Sequence, residues 1–139
     1  MITSQLILDT FELVFDGHES KDLLNKQINY LSIEKVDHTG VGLFIYFAKD
    51  DNIYSYKVKD VNDSKTSVNR GINEPLCGIE LKNEDLNILA DVIVHINDGI
   101  IDYLEIFQKY HPSYPQTEPE HYEIYQDWLD KSKRKIITR

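Results

Sequence analysis

Histidine, cysteine and carboxylate side chains are where chemistry could start in this chain. His38, His95, His111 and His121 all have carboxylates nearby in the sequence, the raw material of general acid–base catalysis. The densest group lies in residues 90–108, where Asp91, His95, Asp98, Asp102, Tyr103 and Glu105 share one stretch. Acid and base alone do little. They need a nucleophile, an oxyanion hole or a metal triad beside them. No spacing among the histidines matches a metal site or a nucleophile arrangement. His111 and His121 share one proline-punctuated segment, which is a weak signal. The single cysteine, Cys77, has no basic neighbour closer than Lys82. A reactive thiolate needs a cationic setting and a histidine partner. A lone cysteine also forms no internal disulfide and no structural zinc site. Cys77 therefore reads as a small buried core residue. The expectation is a chain without catalytic residues, metal or cofactor. The same residues suit contact with a partner. Asp91, His95, Asp98, Asp102, Tyr103 and Glu105 are the expected partner-binding residues, with Tyr110 and Tyr114 as aromatic anchors.

Charge narrows the class of partner. The net charge is −9 over 139 residues, and it is unevenly spread. Residues 131–139 hold five basic side chains and no acidic ones, so residues 1–130 carry 10 basic and 24 acidic groups, a net −14. Such a body repels nucleic acid and anionic membrane, and attracts a basic protein. The segment with Asp50, Asp51, Asp60 and Asp63 is a second acidic patch that could serve. The basic tail, 131–139, reads as a solvated end, although it could also pair with the acidic body. Apolar residues make up 41 % and charged residues 28 %, a globular profile. No apolar run is long enough to span a membrane. The N-terminus lacks the basic start and cleavage site of a signal peptide, and Asp9 and Glu12 interrupt its apolar stretch. The expectation is one cytoplasmic domain over residues 1–139.

The elements that must position these residues follow from periodicity. Leu6, Ile7, Leu8, Phe11, Leu13, Val14 and Phe15 crowd one side at helical spacing, with Thr3 or Ser4 as a cap and Gly17 as a stop. Leu23, Leu24, Gln27, Ile28 and Leu31 repeat the pattern after Ser20, which predicts a second helix. Residues 32–38 alternate as a strand. Residues 41–48, "VGLFIYFA", are apolar on both faces and read as a central strand covered on both sides. Residues 49–52 read as a turn and 53–61 as another strand. Residues 62–75 form the only long polar stretch and read as an exposed loop. A strand follows at 76–83, then a helical turn or loop, then a hairpin around Asn97-Asp98-Gly99. Residues 122–135 read as a short strand that gives way to helix. The sum is α+β: two N-terminal helices packed on an antiparallel sheet of five or six strands.

The hairpin register decides which way Glu105 points. A two-residue Asp98-Gly99 turn would pair Val92 with Glu105 and strand the carboxylate among apolar neighbours, which is costly. A three-residue loop with Gly99 in the left-handed region would pair Ile96 with Ile100, Val94 with Asp102 and Val92 with Leu104. That choice leaves Asp102 as the misplaced acid, near the hairpin end and close to water. It is the preferred register, and it puts Glu105 on a mixed face with Asp91, His95 and Tyr103.

Two motifs extend the reading. Thr39-Gly40-Val41-Gly42 opens an aromatic strand, and Asp98-Gly99 leads through a hairpin to Leu104-Glu105. With helices ahead of them, they resemble a family of small bacterial proteins of uncharacterised function. Where that family's pattern has Gly-Tyr after Leu-Glu, this chain has Ile106-Phe107. The resemblance implies no activity and draws attention to Glu105 without giving it a role. In general type the chain also resembles immunity proteins of bacterial toxin systems, including contact-dependent growth inhibition. These are small, acidic, single-domain proteins that bind a cognate toxin, frequently a basic nuclease. The implied function is a non-catalytic inhibitor that binds a basic toxin domain, without nucleic acid or membrane. The alternative is a bacterial housekeeping domain that binds a peptide or small ligand.

Overall fold

A computed structural model describes residues 1–59, 61–62, 69–70, 73–128 and 130–139. Ser4 starts the first helix by accepting the Ile7 N–H on its hydroxyl at 3.1 Å, which satisfies one orphan donor of the opening turn. Helix α1 runs Gln5–Val14 and buries Leu6, Ile7, Phe11 and Leu13. The Phe11 ring stacks on Phe15 at 5.3 Å and meets Phe47 of the sheet at 5.8 Å. Burying one such side chain stabilises the fold by roughly 1.5–3 kcal/mol. Helix α2 spans Lys21–Gln27 and continues as a 3₁₀ turn, Ile28–Tyr30. Ser20 precedes α2, but its side chain makes no cap bond.

Nine strands follow in the described residues: β1 Leu31–His38, β2 Gly42–Lys49, β3 Val61–Asn62, β4 Asn69–Arg70, β5 Glu74–Asn83, β6 Ile88–Asn97, β7 Ile100–Gln108, β8 Glu123–Gln126 and β9 Ile136–Thr138. Seven of them form one antiparallel sheet in the order β1-β2-β7-β6-β5-β8-β9, and β3 pairs only with β4. The α+β architecture is as expected, with seven strands in place of five or six. Both helices pack on one face of the sheet, α1 over β5, β6 and β8, and α2 over β7.

Several sequence expectations are corrected. The aromatic strand β2 is not central; it lies next to the β1 edge, and β6 holds the centre. Only one of its faces is deeply buried, through Leu43, Ile45 and Phe47, while Phe44 and Tyr46 stay partly exposed. Large aromatic rings tolerate half-burial, so an all-apolar strand need not be covered twice. Residues 53–56 are not a strand. Asp50 accepts the Asn52 N–H at 2.9 Å and caps a 3₁₀ turn over Asp51–Tyr56, with Ile53 buried beneath it. Of the expected loop 62–75, residues 63–68 and 71–72 lie outside the described residues, and Glu74 and Pro75 already belong to β5.

The C-terminal segment is also corrected. β8 is a strand as expected, but no helix follows it among the described residues. Asp130 accepts the Ser132 N–H at 3.1 Å and the Ser132 hydroxyl at 2.6 Å, which shapes a turn instead. The basic tail then returns as edge strand β9. Lys135 reaches Asp16 at 2.9 Å and Arg139 reaches Asp9 at 2.8 Å. The basic end thus pairs with the acidic body.

The hairpin takes neither of the two expected registers. Asp98 and Gly99 have φ of +51° and +76°, a two-residue turn whose twist matches the strands. Asn97 faces Ile100 and Ile96 faces Ile101, but His95 faces Tyr103. Asp102 is the extra residue of a bulge, so Val92 faces Ile106. The bulge drops Ile101 into the core and turns Asp102 towards Lys49, at 2.7 Å. Buried Gln27 holds it there: its carbonyl accepts the Ile101 N–H at 2.9 Å, and its amide donates to Gly99 O at 3.0 Å and to Tyr56 O at 2.9 Å.

Candidate binding surface

The helices cover one face of the sheet, and among the described residues no helix covers the other. Strand alternation decides what this open face presents. On β2 it presents Phe44 and Tyr46; on β7, Tyr103, Glu105 and Phe107; on β6, Asp91, Ile93 and His95, all partly exposed. Register aligns them in rows across three strands. Tyr46, Tyr103 and His95 form one row, Phe44, Glu105 and Ile93 the next, and Gly42, Phe107 and Asp91 the third. Gly42 is required where it stands, because a Cβ would come within 1.9 Å of the Ile106 carbonyl oxygen.

Within the rows the rings touch. Tyr103 lies 5.7 Å from Tyr46 and 6.1 Å from Phe44 by ring centroids, and its ring is stacked on His95 at 4.1 Å. His95 Nε2 meets Glu105 Oε1 at 3.1 Å. Burial, then the Glu105 and Asp102 carboxylates, push the Tyr103 phenol above its ordinary pKa, so it remains a hydrogen-bond donor. Lys35 from β1 places its ammonium 5.9 Å from the Tyr46 ring centroid. The Glu105 carboxylate thus has a partner. Its neighbour across the β2–β7 register is Phe44 and across β6–β7 is Ile93, while His95 satisfies it from the adjacent row.

A polar cluster borders the rings. Carboxylates of Glu80, Asp91 and Asp127 converge closely enough to hold a cation. The cation among them is Lys109, which bonds Glu80 and lies 3.0 Å from Asp91 and 3.6 Å from Asp127. Desolvation would lower the Lys109 pKa, but bonds to Glu80 and Asp91 outweigh it and drive the value up, so the ammonium stays charged. Tyr125 also donates to Glu80, and Arg134 lies 5.1 Å over the Tyr125 ring, closing this end of the face.

The expected site residues separate into groups. Asp91, His95, Tyr103 and Glu105 come together on the open face. Asp98 sits exposed at the hairpin tip, 3.1 Å from Lys57, and Asp102 pairs with Lys49 at the bulge. Tyr110 is 79 % exposed just beyond β7. Tyr114 is corrected: it is only 6 % exposed on the helix side, so it cannot anchor a partner on this face. In the second acidic patch, Asp50 caps a turn, Asp51 is exposed, and Asp60 and Asp63 lie outside the described residues. Cys77 is corrected as well, because its side chain is exposed. A bulge between Leu76 and Ile79, with Gly78 at φ +91°, breaks the alternation that would have buried it. Although the side chain is exposed, partial desolvation of its sulfur, then the Asp91 and Glu105 charges, raise the thiol pKa.

Sequence reasoning missed Phe44, Tyr46 and Lys109. The signal for the first two was the alternation of Leu43, Ile45 and Phe47 against them. Among the described residues, His95 has no hydroxyl or thiol nucleophile bonded to it, and no helix is long and apolar enough to cross a membrane. No protein-family model matches the chain, and no curated protein or solved structure matches it either.

Proposed function

We propose that this chain is a non-catalytic binding protein that docks a basic protein domain on its open sheet face, as an immunity protein docks its toxin. The observation that carries this reading is the block of touching rings, Phe44, Tyr46, Tyr103 and His95, on a face that no described helix covers. Aromatic side chains with little rotamer freedom are the anchors that dominate protein interfaces. The charge does different work. Asp91, Asp98 and Asp102 each have a lysine partner, so they make no free local patch. The net −9 instead acts at a distance and speeds encounter with a cationic partner.

The test is association with a basic toxin domain encoded beside this chain, measured at rising salt, together with survival of cells that express both. Protection is expected. Association should slow as salt rises while dissociation stays nearly constant, because exposed charges are screened within about 8 Å at physiological salt. Replacing Tyr46 and Tyr103 by Ser should speed dissociation and abolish protection without unfolding the chain. Binding that survives the double replacement would remove the open face from the interface. Cell death despite abundant folded protein would reject immunity to that toxin.

A further inference from the structure

β1 is an outer strand, and among the described residues no strand pairs with its free edge. Its two ends fix which backbone groups that edge presents. The Asp50 N–H donates to Tyr30 O at 2.9 Å, and the Thr39 N–H donates to Gly42 O at 3.0 Å, both across the β1–β2 pair. Residues of an antiparallel strand alternate between bonding one neighbour and the other. From the two ends inwards, Ser32, Lys35 and Asp37 therefore bond towards β2, while Ile33, Val36 and His38 direct N–H and C=O outwards. The two alternations meet at the bulge, where Glu34 is the extra residue before the Lys35–Tyr46 pair. Side chains divide in the same way. Ile33 and Val36 lie on the helix-bearing side and are 44 % and 41 % exposed. Lys35 lies on the open face beside Tyr46 and reaches Asp37 at 3.2 Å, and Glu34 beside it is exposed.

We propose that this edge pairs with the same edge of a second copy of the chain, antiparallel about a two-fold axis that passes between Glu34 and Lys35, so that two sheets become one. The bulge selects the occupant. A bulge ordinarily blunts an edge, because its outward groups fall out of step with a straight strand. Here two residues, Glu34 and Lys35, separate the outward groups of Ile33 from those of Val36. A second β1 running the other way carries the same gap at the same place, so the two bulges coincide at the axis. Ile33 then faces Val36 of the second copy, and each such pair exchanges two backbone bonds and joins exposed apolar side chains. Glu34 faces Lys35 of the second copy, and the symmetry repeats the pair, so the register is complementary in charge. Leu31 is buried, so pairing stops short of the strand's start. The aromatic rows on β2, β7 and β6 stay uncovered, so this contact stands apart from the docking proposed for the open face.

The experiment is sedimentation of the full chain at about 0.15 M salt, where repulsion between two acidic bodies is screened. The mass should pass from monomer to dimer between about 1 µM and 1 mM, the range of a small, transient interface. Amide exchange followed over the same range should slow at Ile33 and Val36, whose N–H groups point outwards, and not at Ser32, which already bonds β2. Glu34→Lys sets like charges opposite each other twice and should weaken the dimer roughly tenfold. Glu34→Lys combined with Lys35→Glu exchanges the charges and should restore it, with the amide spectrum of both variants reporting an intact fold. Tyr103→Ser on the open face should leave the dimer unchanged. A monomer at all concentrations would overturn the proposal. So would mass beyond the dimer, which would mean that β1 pairs with the other edge, β9, in an open chain of copies. A dimer that ignores Glu34→Lys, that the charge exchange fails to restore, or that Tyr103→Ser abolishes would place the contact elsewhere and overturn it as well.

Discussion

The Asp9 carboxylate is 1 % exposed, yet it accepts bonds from three directions: Arg139 at 2.8 and 2.9 Å, Tyr122 at 2.6 Å and Gln5 at 2.8 Å. Burial alone would raise its pKa. The bonds from Arg139, Tyr122 and Gln5 together outweigh burial and hold it below the ordinary 3.8. A carboxyl whose folded pKa is depressed stabilises the fold above its unfolded pKa, and that contribution is lost as pH falls through the folded value. Melting temperature should therefore hold steady from neutrality down to about pH 5 and drop below about pH 4. Asp9→Asn should melt lower at pH 7 and flatten the acid branch, and an acid branch unchanged in that variant would assign the effect to Asp16 and Glu80, whose pKa values are also lowered. At this scale the sequence was partly legible. Asp91, His95, Tyr103 and Glu105 could be grouped because alternation alone puts them on one face. Tyr114 and Cys77 could not be placed, since one depends on a crossing of distant segments and the other on a bulge.

Three buried glutamines join the elements. Gln27 holds the β6–β7 bulge to α2, Gln108 ties Asn87, Leu89 and Ser113 together, and Gln126 links Leu13 O to the Lys135 N–H. Gln27→Leu keeps the volume and removes the partners of Ile101 N–H and Tyr56 C=O, while Gly99 C=O keeps the Val58 N–H. A buried backbone group left unpaired costs about 1–3 kcal/mol, so chemical denaturation should show a loss of about 1–3 kcal/mol. Gly99→Ala should cost a similar amount, because its φ is +76° and a Cβ would stand 2.4 Å from Val58 O. A variant that melts like the parent would refute the turn. Asn-Asp-Gly announced a tight turn and the need for a glycine. The bulge was not legible, because it rests on a glutamine 74 residues away, which in sequence reads only as part of a helix face.

Across the whole molecule, the slowest amide exchange is expected in β6 and β7, the strands with paired neighbours on both sides nearest the centre, and faster exchange in edge strands β1 and β9. Slowest exchange in β2 would restore it to the centre and contradict the strand order. The class of fold was legible because two helical periods precede a series of strand periods. The strand order was not, because pairing of β8 with β5 and of β2 with β7 skips over intervening strands. The same non-local wiring bears on how the chain is made. The Asp9–Arg139 contact joins positions 130 residues apart, and α1 packs on β5 and β8, which are synthesised long after it. A nascent chain therefore carries α1 with its Leu6, Ile7 and Phe11 face uncovered through most of translation. Closure waits until Arg139 has cleared the ribosomal exit tunnel. Ribosome-stalled chains ending in the β7–β8 connection should remain protease-sensitive, and resistance should appear only when a linker beyond Arg139 is long enough to release the tail. A protein assembled in this order exposes its apolar helix to holding chaperones until β5, β8 and β9 have emerged, so its supply of working copies is set by the late strands and not by the helix.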